Sequence, residues 1–298
     1  MTYESTRKQL GSRPEKINLQ GHEFSFVTSQ REDLSAVYRS ADAYVRIGSP
    51  ERISKDLALH KNMDRVGFPV AKLLAEGEHD GEVYFIEASL GDKHFGELFA
   101  EDVAAFGAIS DELFEKFISI AEKFARAQFA TRSDTKGYAE FAKGIWLDRM
   151  CDELPEHATA LIDRFEKVRV RTENLPFVLT HGDFNPHNLY PSGVIDLEDS
   201  FPGPYGYDLV SAVVHIDSFP TTEGYEYFAK YHFTPDQVQE YSNRLDAVSR
   251  EAELPPLSDF WNDFEFCRAV WLAADIFTAP KLQEFRYQFL IEKFLKKN

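Results

Sequence analysis

The sequence predicts an α+β chain of two lobes: a small antiparallel β-rich lobe over residues 1–90 and a larger, mainly helical lobe over 91–298. Three observations predict it. Alternating aromatic and β-branched segments separated by turn formers fill the first lobe. Apolar residues at helical spacing fill most of the second. One block, residues 175–209, interrupts the helical half with a strand-like run and a loop crowded with His, Asp and Asn.

From Glu15 to Ile47 the segments HEFSFVTS, SAVYRS and AYVRI alternate around polar tips and read as an antiparallel meander. Ser49-Pro50 stops the last strand. A helix is expected from about Glu51 to Arg65, with Leu57, Leu59 and Met63 on its apolar side, ended by Gly67 and the Phe68-Pro69 break. EVYFIEASL is a near-continuous apolar run after the turn HDG, as in a buried strand, and Gly91-Asp92 closes it. Between Asp111 and Thr131, Leu113, Phe114, Phe117, Ile118, Ala121, Phe124 and Ala125 recur at helical spacing. Further helices are expected over about Ala139–Met150, after Pro155, and through the last forty residues.

A chain of 298 residues with 43% apolar content can bury a sizeable core. Its net charge of −17 repels nucleic acid and anionic membrane surfaces and favours cationic small molecules, or serves solubility alone. Cys151 and Cys267, the only cysteines, form no C-x-x-C pair, against a disulfide framework or thiolate zinc site. The polar N-terminus lacks a signal-peptide core, and no apolar run nears the roughly 18 residues a membrane span needs. A cytoplasmic protein is expected, without nucleic-acid or membrane partners.

The chemistry concentrates in the interrupting block. Asn188 follows Asp183 by five residues and Asp196 comes eight later, at the end of an apolar run. That spacing matches the parts of kinases: one Asp for the acceptor hydroxyl, then an Asn and a second Asp holding Mg²⁺ against nucleotide phosphates. Carboxylate and amide oxygens are the hard ligands that Mg²⁺ prefers.

On HGDFNPHN at 181–188, GVIDLED at 193–199 and YGYDL at 205–209, the sequence resembles the aminoglycoside phosphotransferase and choline kinase-like small-molecule kinases. The resemblance implies a two-lobed, protein-kinase-like fold, with nucleotide and Mg²⁺ in the cleft between the lobes. It implies an enzyme that moves the γ-phosphate of ATP or GTP to a hydroxyl of a small acceptor, with Asp183 as catalytic base and Asn188 and Asp196 as metal ligands. Asp208 would stabilise the larger lobe or its loop structure, and His181 would support the loop without reacting. In the small lobe, Arg46 stands where the family has a basic residue on the α/β-phosphates, and Asp56 where it has the acidic partner. The hinge meeting the adenine would lie near Glu87–Leu90, including Ser89.

The chain departs from the family pattern in four places. Arg46 replaces the usual Lys, Asp56 is a methylene shorter than Glu, and Gln128 stands where a His is common. The loop SQRED, expected over the phosphates, has no glycine. An ordinary surface ion pair is the alternative for Arg46 and Asp56. A catalytically weak or inactive nucleotide-binding module is the alternative for the whole chain, and metal hydrolysis through His181, Asp183 and His187 is a further one. The aromatics Phe260, Trp261, Phe264, Phe266 and Trp271 read as core or as stacking surfaces. Residues 197–298 carry 17 acidic against 9 basic side chains. On that count an amine-bearing acceptor is expected, faced by Glu198, Asp199, Asp259, Asp263 and Glu265, the alternative being solvated charge.

Overall fold

The computed structural model describes residues 13–30, 35–275 and 279–296. The chain divides into two compact units, Met1–Asp92 with Ser192–Ile195, and Lys93–Pro191 with Asp196–Asn298.

The first unit is a six-stranded antiparallel sheet, ordered β1-β2-β3-β4-β6-β5. Its strands are β1 (Lys16–Leu19), β2 (His22–Gln30), β3 (Ser35–Arg39), β4 (Ala43–Gly48), β5 (Leu73–His79) and β6 (Glu82–Ala88). The expected meander is β2 to β4, with Tyr38, Val45, Ile47 and Ile86 in one buried cluster. Period-two alternation sends these residues to the same side of neighbouring strands. β5 has no counterpart among the expected strands. Its sequence LLAEGEH is poor in β-branched residues, and pairing with β6 supplies what propensity does not. Gly77 is required there, because a Cβ would come within 2.8 Å of the Tyr84 hydroxyl.

Helix α1 (Pro50–Arg65) starts on Pro50 behind Ser49 as its N-cap. Its buried residues are Ile53, His60 and Met63. The expected apolar side was therefore drawn too far round: Leu57 and Leu59 are only half-buried, and a histidine occupies the face instead.

The second unit opens with α2 (Phe95–Phe106), a helix the periodicity did not reveal, and continues with α3 (Asp111–Gln128). The stretch expected as one helix over 139–150 is two, α4 (Tyr138–Gly144) and α5 (Leu147–Glu153). Between them Trp146 adopts a left-handed conformation, φ 57°. α6 (Ala158–Arg171) follows Pro155 as expected. The interrupting block forms β7 (Phe177–Leu179), β8 (Leu189–Tyr190), β9 (Gly193–Val194) and β10 (Pro202–Pro204), pairing β7 with β10 and β8 with β9. Then come α7 (Tyr207–Val214), α8 (Pro235–Glu251), α9 (Trp261–Ala274) and α10 (Pro280–Leu290). Phe95, Phe99, Phe117 and Phe233 pack edge-to-face or stacked at 5.4–5.6 Å. Each fully buried Phe stabilises the fold by about 1.5–3 kcal/mol. Phe260, Phe264, Phe266 and Trp271 are buried core residues as well. No helix among the described residues is long and apolar enough to cross a membrane.

Candidate active site

The loop after β7 is held by its own backbone and by one buried carboxylate. Thr180 donates its N–H, 2.9 Å, and its hydroxyl, 2.7 Å, to the carbonyl of Phe201. Gly182 sits at φ +84°, where a Cβ would stand 2.1 Å from the Asp199 carbonyl. Only glycine fits, for both conformational and steric reasons. Asp208, fully buried at the start of α7, accepts from the N–H of His181 at 2.8 Å, the N–H of Gly182 at 3.2 Å and Gln128 Nε2 at 2.8 Å. The brace expected of Asp208 is thus visible atom by atom, and Gln128 serves it with an amide donor.

Burial pushes the Asp208 carboxyl up to about 6, against the pull of His181, of the His181 and Gly182 N–H groups and of Arg268. Asp208→Ala strands those donors, so urea unfolding should show a loss of about 3 kcal/mol. The folded pKa lies above the unfolded one, so ionisation costs stability as pH rises through about 6. The gap between wild type and variant should therefore narrow by about 1 kcal/mol from pH 5 to pH 7.

Asp183 projects from this braced loop, with a 22% exposed side chain. Its Oδ1 accepts from Arg268 Nη2 at 2.5 Å and Asn185 Nδ2 at 2.8 Å, and its Oδ2 from Asn188 Nδ2 at 2.9 Å. A carboxylate oxygen offers two lone-pair sites, so Oδ1 is saturated while Oδ2 keeps one position for an incoming hydroxyl. Burial alone would raise this carboxyl. The Arg268 guanidinium outweighs it and holds Asp183 well below the usual carboxylate range.

Arg268 is itself fully buried on α9. It donates to the Gly182 carbonyl at 3.2 Å and to His215 Nδ1 at 2.8 Å, and lies 4.3 Å from the centre of the Trp271 ring. Burial, then the charge of Arg268, keeps His215 well below the imidazole range. A neutral ring can present Nδ1 as an acceptor. Asn185, Arg268 and His215 are the residues the sequence reading missed. Asn185 lay inside the quoted motif. For Arg268 the available signal was one cation inside the otherwise apolar run FCRAVWLAA.

Asn188 donates its amide nitrogen to Asp183, which leaves its Oδ1 as the atom to offer a cation. Asp196 follows β9 in a left-handed conformation, φ 64°, ψ 59°. For a residue with a Cβ this conformation costs about 1–2 kcal/mol, and such strain clusters at functional sites. Asn188 and Asp196 flank the short β8–β9 ribbon, which returns the chain from one to the other. His181 is buried, accepts the Asp183 N–H at 3.3 Å and packs against Phe184. No three His, Cys, Asp or Glu side chains among the described residues converge on a metal-sized point, so the His181–Asp183–His187 alternative has no geometry behind it.

In the first unit, Arg46 Nε stands 3.9 Å from Glu87 Oε1, and His60 Nδ1 stands 3.6 Å from Glu87 Oε2. His60 donates its other nitrogen to the Ala71 carbonyl at 2.7 Å. Asp56 is engaged by Arg52 one turn earlier on α1, at 3.2 Å. The Ser89 N–H donates to the Asp42 carbonyl at 2.8 Å, and the Ala88 N–H to the Lys72 carbonyl at 2.9 Å. Within the glycine-free loop, residues 31–33 lie outside the described residues.

Two of the five acidic residues expected to face an amine are engaged by other cations. Asp263 is buried between Arg164 at 2.8 Å and Arg171 at 2.6 Å, and Glu265 is bound by Lys293. Arg171 also donates to the Asp259 backbone carbonyl. A net charge count sees the carboxylates but not the cations folded onto them. Glu198 and Asp199 lie half-buried in the turn directly after Asp196.

The family described as phosphotransferase enzyme family matches residues 21–241. Among solved structures, a choline/ethanolamine kinase family protein from Mesorhizobium loti is similar over 99% of this chain and 96% of its own, at TM-score 0.59 and 12% identity. A Plasmodium vivax ethanolamine kinase is similar over 91% of this chain and 82% of its own, at TM-score 0.54 and 12% identity. At these identities the likeness is one of fold. No curated protein matches the chain significantly.

Proposed function

From the premise that the chain belongs to the phosphotransferase enzyme family, we propose that it transfers the γ-phosphate of ATP or GTP to a hydroxyl of a small molecule, with Asp183 as the base. The observation that carries this reading is the half-saturated carboxylate: Oδ1 fixed by Arg268 and Asn185, Oδ2 with one acceptor position left. The acceptor hydroxyl donates to that position. Its proton passes to Asp183 as its oxygen bonds to the γ-phosphorus. The bond from that phosphorus to the β–γ bridging oxygen breaks, and the nucleoside diphosphate leaves with the electron pair. Arg268 keeps the carboxylate ionised and oriented before the proton arrives. Phosphoryl transfer depends mainly on such positioning and on charge neutralisation.

Asn188 Oδ1 and the Asp196 carboxylate fit Mg²⁺, being hard oxygen donors on the two flanks of one ribbon. When bound there, Mg²⁺ neutralises charge on the phosphate oxygens. In the first unit, Arg46 is the cation offered to the α/β-phosphates, oriented by Glu87. Asp56, paired with Arg52 on α1, is its proposed acidic partner. The Ala88 and Ser89 N–H groups are already bonded to the Lys72 and Asp42 carbonyls, so adenine recognition at the hinge rests on the remaining backbone groups of Glu87–Leu90.

Asp196→Ala should raise the Mg²⁺ concentration for half-maximal nucleotide binding by at least about tenfold, and Asn188→Ala by less, because a charged ligand holds a hard dication more strongly than an amide. Titrating Mg²⁺ against each variant measures this. An unchanged Mg²⁺ dependence in Asp196→Ala would remove the assignment.

A further inference from the structure

Beside the catalytic loop the second unit holds a cavity of about 510 Å³, within the roughly 300–1,000 Å³ range of small-molecule sites. One wall is His187, four residues beyond Asp183. Its ring lies over Gly96, where a Cβ would approach to 2.7 Å. The opposite wall is Ile216 and Phe219, next to the His215 that holds Arg268. Further aromatic lining, Tyr227, Phe228 and Tyr231, comes from the segment between Ser218 and Pro235, which has neither helix nor strand. The Ala229 N–H donates to the Pro220 carbonyl at 2.8 Å, closing this segment into a compact Ω-type loop. Its far end is anchored where Tyr231 and Phe233 pack on Phe99 at 5.2 and 5.4 Å.

The wall groups that do not belong to aromatic or alkyl residues are few. Tyr231 is buried and its hydroxyl has no partner among the described residues. Glu97, Glu226 and Lys230 stand at the rim, two carboxylates against one ammonium.

We propose that this cavity receives the non-reacting body of the acceptor, and that this body is apolar, of phenyl or short branched-alkyl size, with any charge on it positive. The inference rests on the phosphotransferase reading and narrows it: a bare polyol or sugar leaves the aromatic walls without a partner. The cavity wall is linked to the base by packed side chains. The rings of His187 and His215 are 6.0 Å apart, and Arg268 bridges His215 to Asp183.

Calorimetric titration with two hydroxyl-free probes tests the cavity without any chemistry. 2-Phenylethylamine should bind wild-type protein at least about tenfold more tightly than ethylamine, as burial of one phenyl group requires. Ala100→Phe, which projects a ring from α2 into the cavity, should cut that ratio to below about threefold while thermal melting stays cooperative. Phe228→Ala, on the surface loop, should lower it as well and serves if Ala100→Phe does not fold. Equal binding of the two amines to wild type, or a ratio unchanged in the folded variants, would overturn the proposal. Failure to phosphorylate any alcohol would instead strike the phosphotransferase reading and leave these binding ratios as they are.

Discussion

Asp183→Asn should lower kcat by about a thousandfold while nucleotide affinity stays within about threefold. The carboxamide is nearly isosteric and keeps one oxygen for Arg268 and Asn185, while its amide nitrogen can no longer accept from Asn188. What disappears is the basic lone pair on Oδ2. General-base removal costs about 10²–10⁴ in rate, and the loss should appear in kcat because the group acts only as the hydroxyl is deprotonated. Single-turnover kinetics with fluorescent nucleotide titration separates the two quantities. A variant retaining more than about a tenth of the activity would place the base elsewhere. Stability adds a second signature. Asp183 is held below its unfolded pKa, so its contribution is present above about pH 4 and is lost as pH falls below that. The variant should therefore lose less stability than wild type on acidification.

Arg268→Met should be comparably damaging, though Arg268 touches neither nucleotide nor acceptor in this account. It is a fully buried cation whose removal leaves the Asp183 carboxylate in a low-dielectric site without its partner. Breaking such a pair from one side costs about 3–5 kcal/mol. With the guanidinium gone, burial dominates and the carboxyl rises. The acid limb of kcat should then move toward neutral pH, and kcat at pH 7 should fall by about a hundredfold. The double variant Arg268→Met with Asp183→Asn should recover much of the stability, because no unpaired charge remains, yet recover no activity. A stability loss that simply adds across the two substitutions would mean that the pair does not act as a unit.

What was legible in the sequence follows from how each feature is built. Asp183, Asn188 and Asp196 could be read because the loop that carries them closes on itself. Asn188 bonds Asp183 five residues back, and a two-stranded ribbon returns the chain to Asp196. Asp208 could be read from YGYDL, although its role as acceptor for three donors could not. Arg268 is 85 residues from its carboxylate, and nothing local marks a cation in an apolar helix as half of a pair. The same limit misled the charge argument. Asp263 counts as a free negative charge until Arg164 and Arg171 close on it from α6. β5 escaped notice because its Glu-Gly-Glu core has little β-propensity and depends on its neighbour. The break between α4 and α5 escaped because nothing in the composition signals a left-handed tryptophan. Glu87 entered the reading for its backbone at the hinge, whereas in the folded unit its side chain stands between Arg46 and His60.

Phosphoryl transfer to a small-molecule hydroxyl is read out by label transfer. Purified protein is incubated with Mg²⁺, [γ-³²P]ATP or [γ-³²P]GTP, and a panel of alcohols spanning amino alcohols, aminoglycosides, sugars and phenyl-bearing alcohols. Wild type should form an acid-stable phosphate ester of at least one panel member, reduced about a thousandfold by Asp183→Asn. Label appearing only as inorganic phosphate, or an ester formed equally well by the Asp183→Asn variant, would contradict it.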